Sequence, residues 1–176
     1  MTPRPGIGAA GLVLAAALLV GCAPDPAPTP SATGFADEDA AFAAAEATYR
    51  AYVDALNQVD LSNPATFEEV YQWTTGDLNA SDREGLSYYH AEGYTISGET
   101  SITEIALNSV ASDFSTITID LCLDVSEINI VDANGSSQID ADRVEIQTVR
   151  ATLITSTSTT GLQIESLAAR GDGPTC

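Results

Sequence analysis

Apolar positions recur every three to four residues in the first half of the chain and every second residue in the last part. From Asp37 to Val59, the residues Phe42, Ala45, Tyr49, Tyr52, Val53 and Leu56 fall at helical spacing. Glu46 and Arg50 form a supporting i,i+4 pair, and the acids at the start suit the helix dipole. A second helix is expected from Asn63-Pro64, a cap residue followed by proline in the first turn. It carries Phe67, Val70, Tyr71 and Thr74 along one side and ends near Gly76. Ser81-Asp82-Arg83-Glu84 has the spacing of a capping box and opens a third helix, which runs through Leu86 and Tyr89 towards Gly93.

Beyond Gly93 the period drops to two. In TITIDLCLDV, residues 116–125, Ile117, Ile119, Leu121, Leu123 and Val125 face one way. Thr118, Asp120, Cys122 and Asp124 face the other, the pattern of a half-buried antiparallel strand. Residues 101–110 form its partner. Asn134-Gly135, between INIVDA and SSQID, signals a hairpin. Arg143 to Thr155 reads as one long strand whose parity changes between Ile146 and Val149, which predicts a bulge near Gln147. GLQIESLAA is a last strand. Helices in front and an antiparallel meander behind describe an α+β domain, with N-terminal helices packed on a curved antiparallel sheet.

The front of the chain follows a different pattern. Residues 1–6 carry one basic residue, Arg4, and residues 7–20 are apolar and uncharged. That run is shorter than the roughly 20 residues of a bilayer-spanning helix and suits an export signal that is removed. Leu19-Val20-Gly21-Cys22 resembles the bacterial lipobox. The resemblance implies cleavage after Gly21 and a diacylglyceryl group on the Cys22 sulfur. Two acyl chains hold a protein on a membrane stably. The implied location is the extracytoplasmic face of the cell membrane, with the membrane itself as partner through the lipid anchor. Residues 23–34, APDPAPTPSATG, favour extended polyproline geometry and span roughly 35 Å at about 3.1 Å per residue. The chain thus divides into a signal peptide (1–21), a lipidated cysteine with a Pro-rich linker (22–36) and one α+β domain (37–176).

Composition narrows the partners. Of 176 residues, 25 are acidic and 6 basic, a net charge of −19. Such a chain does not bind nucleic acid through its phosphates, and anionic headgroups repel it. Three cysteines are odd in number, but a lipid on Cys22 leaves Cys122 and Cys176 as a pair that oxidises outside the cytoplasm. Catalytic thiols are the rival reading, although Cys122 has no His or Lys beside it in sequence. No metal or cofactor is expected. The one histidine cannot build a zinc site, and a calcium loop through Asp132 would place Ile130 and Ala141 at its first and last ligand positions.

The order of elements, with CLDVS, INIVDANGSS and the cysteine at 176, resembles nuclear-transport-factor-2-like domains of actinobacterial lipoproteins over residues 37–176. The resemblance implies a cone-shaped α+β fold outside the cytoplasm. Enzymes of that superfamily keep an Asp, His or Tyr in the cone mouth, but no motif here matches theirs, so no catalytic residue is carried over. His90, beside Tyr88, Tyr89 and Tyr94, suits acid–base work or a helix C-terminal contact. Tyr71 and Trp73, near Thr74 and Thr75, suit a ligand mouth or core packing. The candidate pocket is therefore Tyr71, Trp73, Tyr89 and His90. Asp120 and Asp124 read as the polar outer face of a sheet. The functional expectation is a non-catalytic binding or interaction module for a small molecule or protein. The alternatives are an isomerase- or dehydratase-like enzyme on a small apolar substrate, and a structural envelope protein.

Overall fold

The computed structural model of the chain describes residues 34–173 and 175–176. Cys22, the export signal and the linker up to residue 33 lie outside the described residues. Helix α1 (Glu38–Asn57) starts at Asp37, whose side chain accepts the Ala40 N–H at 2.8 Å and satisfies one of the free donors of the first turn. Its inward stripe combines small Ala41 and Ala45 with Tyr49, Tyr52 and Val53. The alanines leave no bulk between helix and core, and the tyrosines add the larger buried side chains.

A 3₁₀ turn (Pro64–Thr66) capped by the Asn63 side chain leads into the short α2 (Phe67–Tyr71), which stops five residues before the expected end near Gly76. Helix α3 (Gly76–Ala91) begins one turn before the expected capping box. Ser81 to Glu84 lie inside it, so the box spacing marks no helix start. The helical signal of Leu78, Asp82, Leu86 and Tyr89 extends back to Gly76.

Four strands form the main sheet in the order β2 (Ser101–Val110), β3 (Thr116–Asp124), β5 (Ile146–Thr155), β6 (Leu162–Ala169), all antiparallel. Residues 73–75 run along the outer edge of β6. Ile164 N–H donates to the Trp73 carbonyl, and Thr75 N–H to the Ile164 carbonyl. That cover protects an edge otherwise open to pairing. Register shifts fall between Ile102 and Glu104, between Leu107 and Ser109, and in the β5–β6 pair at Thr152/Leu153. Such bulges increase twist and bend the strands, and the sheet curves around α1. The bulge expected near Gln147 is absent, because β5 pairs residue by residue with β3 from Ile146 to Ile154. Val144 and Ile146 are exposed apolar side chains, which mimicked a change of parity.

β1 (Thr95–Ser97) pairs with β4 (Asn129–Val131) in a separate two-stranded sheet. Asn134-Gly135 does lie in a tight turn, where Asp132 accepts the N–H groups of Asn134 and Ser136. The expected return strand is reduced to a single bridge between Val131 and Ser137, and INIV pairs along its other edge with β1. Gly98 makes the crossing possible. A Cβ there would sit 1.9 Å from the Glu127 carbonyl oxygen.

The core lies between α1 and the sheet. Ile117, Ile119, Leu121, Leu153, Leu162 and Ile164 meet Tyr49, Tyr52, Phe67 and Val70. All are buried, and truncating one of these aliphatic side chains to alanine costs about 2–5 kcal/mol. The fold class expected from the sequence is the fold observed: helices packed on a curved antiparallel sheet.

Candidate functional site

One polar cluster sits inside the helical layer. Helix α1 directs Tyr49 and Tyr52 inwards, and α3 brings Asp82 against them because Asp82 occupies the apolar stripe of that helix. The Tyr52 hydroxyl donates to Asp82 Oδ1 at 3.2 Å, and Asp82 Oδ2 is buried without a hydrogen bond. Beside them the Asn79 amide donates to the Thr74 hydroxyl at 2.9 Å and to the Tyr71 carbonyl at 3.1 Å. Burial pushes the Asp82 carboxyl up to about 6, against the pull of the Tyr52 hydroxyl. Burial, with the Asp82 charge as a second cause, pushes the Tyr49 and Tyr52 phenols well above their ordinary value. An acid poised near neutrality beside two phenols can exchange a proton. Yet the space around it holds side chains: Tyr49 and Val70 are fully buried, and Tyr52 nearly so.

The four candidate pocket residues occupy separate places. Tyr71 borders the Asp82 cluster, buried beneath the Arg83 guanidinium, which lies 3.9 Å from the ring centroid. Trp73 is half-buried and faces a surface cleft of about 360 Å³ between α1 and α2, together with Asp54, Gln58 and Glu69. Tyr89 stacks on Tyr94 with centroids 5.7 Å apart, and Tyr88 packs edge-on to Tyr94. His90 stands in the last turn of α3, where its Nδ1–H donates to the Leu61 carbonyl at 2.7 Å and its ring meets Phe67 edge-on. The histidine thus ties the end of α3 to the loop after α1. Asp82 is hidden in the sequence because the spacing of Ser81 and Glu84 around it imitates a helix start. Its place between Leu78 and Leu86 is the signal that could have found it.

A second cluster lies on the outer face of the sheet. Asp120 is only 2% exposed, not a solvated outer-face residue as its alternation suggested. Arg150 grips it with both arms, Nε to Oδ1 at 2.7 Å and Nη2 to Oδ2 at 2.9 Å, and Asn108 donates to Oδ2 at 3.3 Å. These bonds hold its carboxyl below the ordinary range despite burial. The cover is the segment after β6. Arg170 reaches the Leu121 carbonyl, Asp172 pairs with Arg150 at 3.0 Å, and Gly173 passes so close that a Cβ would lie 2.5 Å from Asp120 Oδ2. Cys122 and Cys176 are bonded, with Cα atoms 5.5 Å apart, and pin this strap to β3. Asp124, further along, accepts the Ser126 N–H and stays partly exposed. Among the described residues, no group of three or more His, Cys, Asp or Glu side chains is placed to hold a metal ion.

No family model matches the chain, and no curated protein matches it. Solved structures do resemble its fold. The intermembrane space region of chloroplast protein ARC6 is 13% identical, with 71% of this chain and 92% of that one covered and a TM-score of 0.49. Aln2 from a Streptomyces species is 12% identical over 72% of this chain and 86% of its own, with a TM-score of 0.42. The Agrobacterium tumefaciens VirB8 protein is 14% identical over 76% and 94%, with a TM-score of 0.39. At such identities the likeness is one of fold alone.

Proposed function

We propose that this chain is a membrane-anchored extracytoplasmic lipoprotein whose folded domain is a non-catalytic binding or interaction module. One observation carries the second half of that reading: the hollow between α1 and the sheet is filled by the chain's own side chains, among them Tyr49, Ile119, Leu153 and Ile164. Recognition then belongs to the surface, where partners of protein size dock. The anchor rests on Leu19-Val20-Gly21-Cys22. The bond between Cys122 and Cys176 supports it, since it leaves Cys22 as the cysteine without a thiol partner in the chain. Fractionation of cells making the full chain tests both parts. Cys22→Ala should move the protein from the membrane to the soluble fraction, and cross-linking on intact cells should join the anchored form to a protein. A Cys22→Ala protein that stays on the membrane defeats the anchor.

A second reading is favoured by Asp82: an isomerase- or dehydratase-like enzyme acting on a small apolar substrate, with the carboxyl as acid or base and Tyr52 beside it. It requires the layer of Tyr49 and Val70 to open. Native mass spectrometry of the full chain showing a bound small apolar molecule, lost in Asp82→Asn, supports it. A ligand-free spectrum removes it.

A further inference from the structure

Strand β1 is the least supported strand of the fold. It pairs with β4 alone, whereas β4 is also bridged to Ser137 on its far side. Gln138 N–H donates to the Ile130 carbonyl at 2.8 Å, so the backbone groups of Ile130 point away from β1. Ile96 stands opposite Ile130. Directly opposed residues in an antiparallel pair either bond each other or both point away, so the N–H and C=O of Ile96 also face outwards. They form a strand edge without a strand partner among the described residues.

Two clefts, of about 440 and 320 Å³, border this edge and share Val59 and Ile96 as walls. Leu56 and Ile128 line the first, Leu61 and Tyr94 the second. Asn57 closes one end by behaving as a neighbouring strand would. Its side chain donates to the Thr100 carbonyl at 3.0 Å and accepts the Thr100 N–H at 2.9 Å. The rim carries Asp60, Glu99 and Glu127, and among the described residues no Lys, Arg or His lines either cleft.

We propose that this edge receives an extended basic segment of another protein, which adds as a strand beside β1. Its alternate apolar side chains enter the two clefts, and its lysines or arginines meet Asp60, Glu99 and Glu127. The proposal rests on the interaction-module reading and names the chemistry of the partner. Main-chain bonds to a sheet edge supply affinity, and pockets for alternate side chains set the register. Side chains two residues apart on a strand lie about 6.7 Å apart on one face, which suits adjoining clefts with a common wall. A chain of net charge −19 steers a cationic segment towards itself and repels its own copy.

Hydrogen exchange on the full chain in detergent tests this, with a short synthetic peptide of alternating lysine and valine as the probe. Its glutamate–valine counterpart is the control. The basic peptide should protect the Ile96 amide and the acidic one should not. Reversing charge at the exposed rim, Glu99→Lys with Glu127→Lys, should weaken binding about tenfold and flatten its salt dependence. Ile96→Pro should abolish binding while β1 stays paired with β4, because the lost N–H makes no bond to β4. Absence of protection at Ile96, equal binding of the acidic peptide, or indifference to the charge reversal overturns the proposal. Protection that rises with protein concentration in the absence of peptide overturns it too, and makes a second copy the occupant. If cross-linking on cells joins a partner at another surface while Ile96 stays unprotected, this edge is wrong and the module reading stands. If the Cys22→Ala and cross-linking experiments fail, that reading falls whatever the peptide does.

Discussion

Replacing Asp120 by asparagine tests whether the outer-face cluster stabilises the fold. The substitution keeps the shape and the acceptor for Asn108 but removes the charge that Arg150 grips. A buried ion pair broken on one side typically loses about 3–5 kcal/mol, because the remaining charge stays desolvated. Here the Arg150 side chain keeps 28% exposure and its existing pairing with Asp172, so part of that penalty is screened. The expected loss at pH 7 is about 2–3 kcal/mol, or roughly 8 °C in midpoint for a domain of this size. The pH dependence has a definite sign. The folded-state pKa of Asp120 is lowered, so its contribution is complete above the ordinary carboxylate range near 4 and is lost as pH falls through the native value. The gap between wild type and Asp120→Asn should therefore close on acidification. Urea unfolding in a Cys22→Ala background, across pH, measures it, with Asp120→Asn/Arg150→Gln as the paired control. A loss below about 0.5 kcal/mol at pH 7, or one that persists undiminished at low pH, would refute the assignment.

The disulfide, the interior acid and one glycine carry further expectations. Cys122→Ser with Cys176→Ser opens a loop with a sequence separation of 54 and should cost about 4 kcal/mol in the chain-entropy account. An unfolding midpoint insensitive to reductant would count against it. Asp82 has the opposite linkage to Asp120. Its folded pKa is raised, so its stabilising share is present below the ordinary carboxylate range and is lost as pH rises through about 6. Wild type should gain stability relative to Asp82→Asn on going from pH 7 to pH 5, by about 1 kcal/mol once partial exposure is allowed for. Parallel curves for the two proteins would discard the shift. Gly98→Ala should cost upwards of about 2 kcal/mol, because its φ of +83° and the Glu127 carbonyl both exclude a Cβ. Hydrogen exchange should show the loss centred on β1 and β4, and unchanged protection there would contradict the close crossing.

The periodic parts of the architecture were legible in the sequence. The stripe of Ala45, Tyr49, Tyr52 and Val53 marks α1, and the alternation from Ile117 to Leu123 marks β3, because one buried face imposes one period. Features set by distant segments were not legible. Asp120 reads as a solvated outer residue until the strap, some fifty positions away in sequence, folds over it. Gly76 reads as a stop after α2, yet it begins α3, and that inversion hid Asp82. The NG turn forms as its residues dictate. Where its strands pair, however, is decided by β1, nearly forty residues earlier in the chain. The cluster of tyrosines around His90 is real, but those rings hold the end of α3 and the loop after α1, so proximity in sequence did not translate into one cavity.

The bond from β3 to Cys176 has a mechanical consequence. A load applied between Gly34 and Cys176 cannot lengthen the residues lying between the two sulfurs, so most of the large sheet is shielded from tension. The helices, β1, β2 and the part of β3 before Cys122 must yield, leaving β5 and β6 paired as a base on which they can re-form when the force drops. In an optical trap the oxidised protein should show a short extension, and the reduced one an added step from the freed loop.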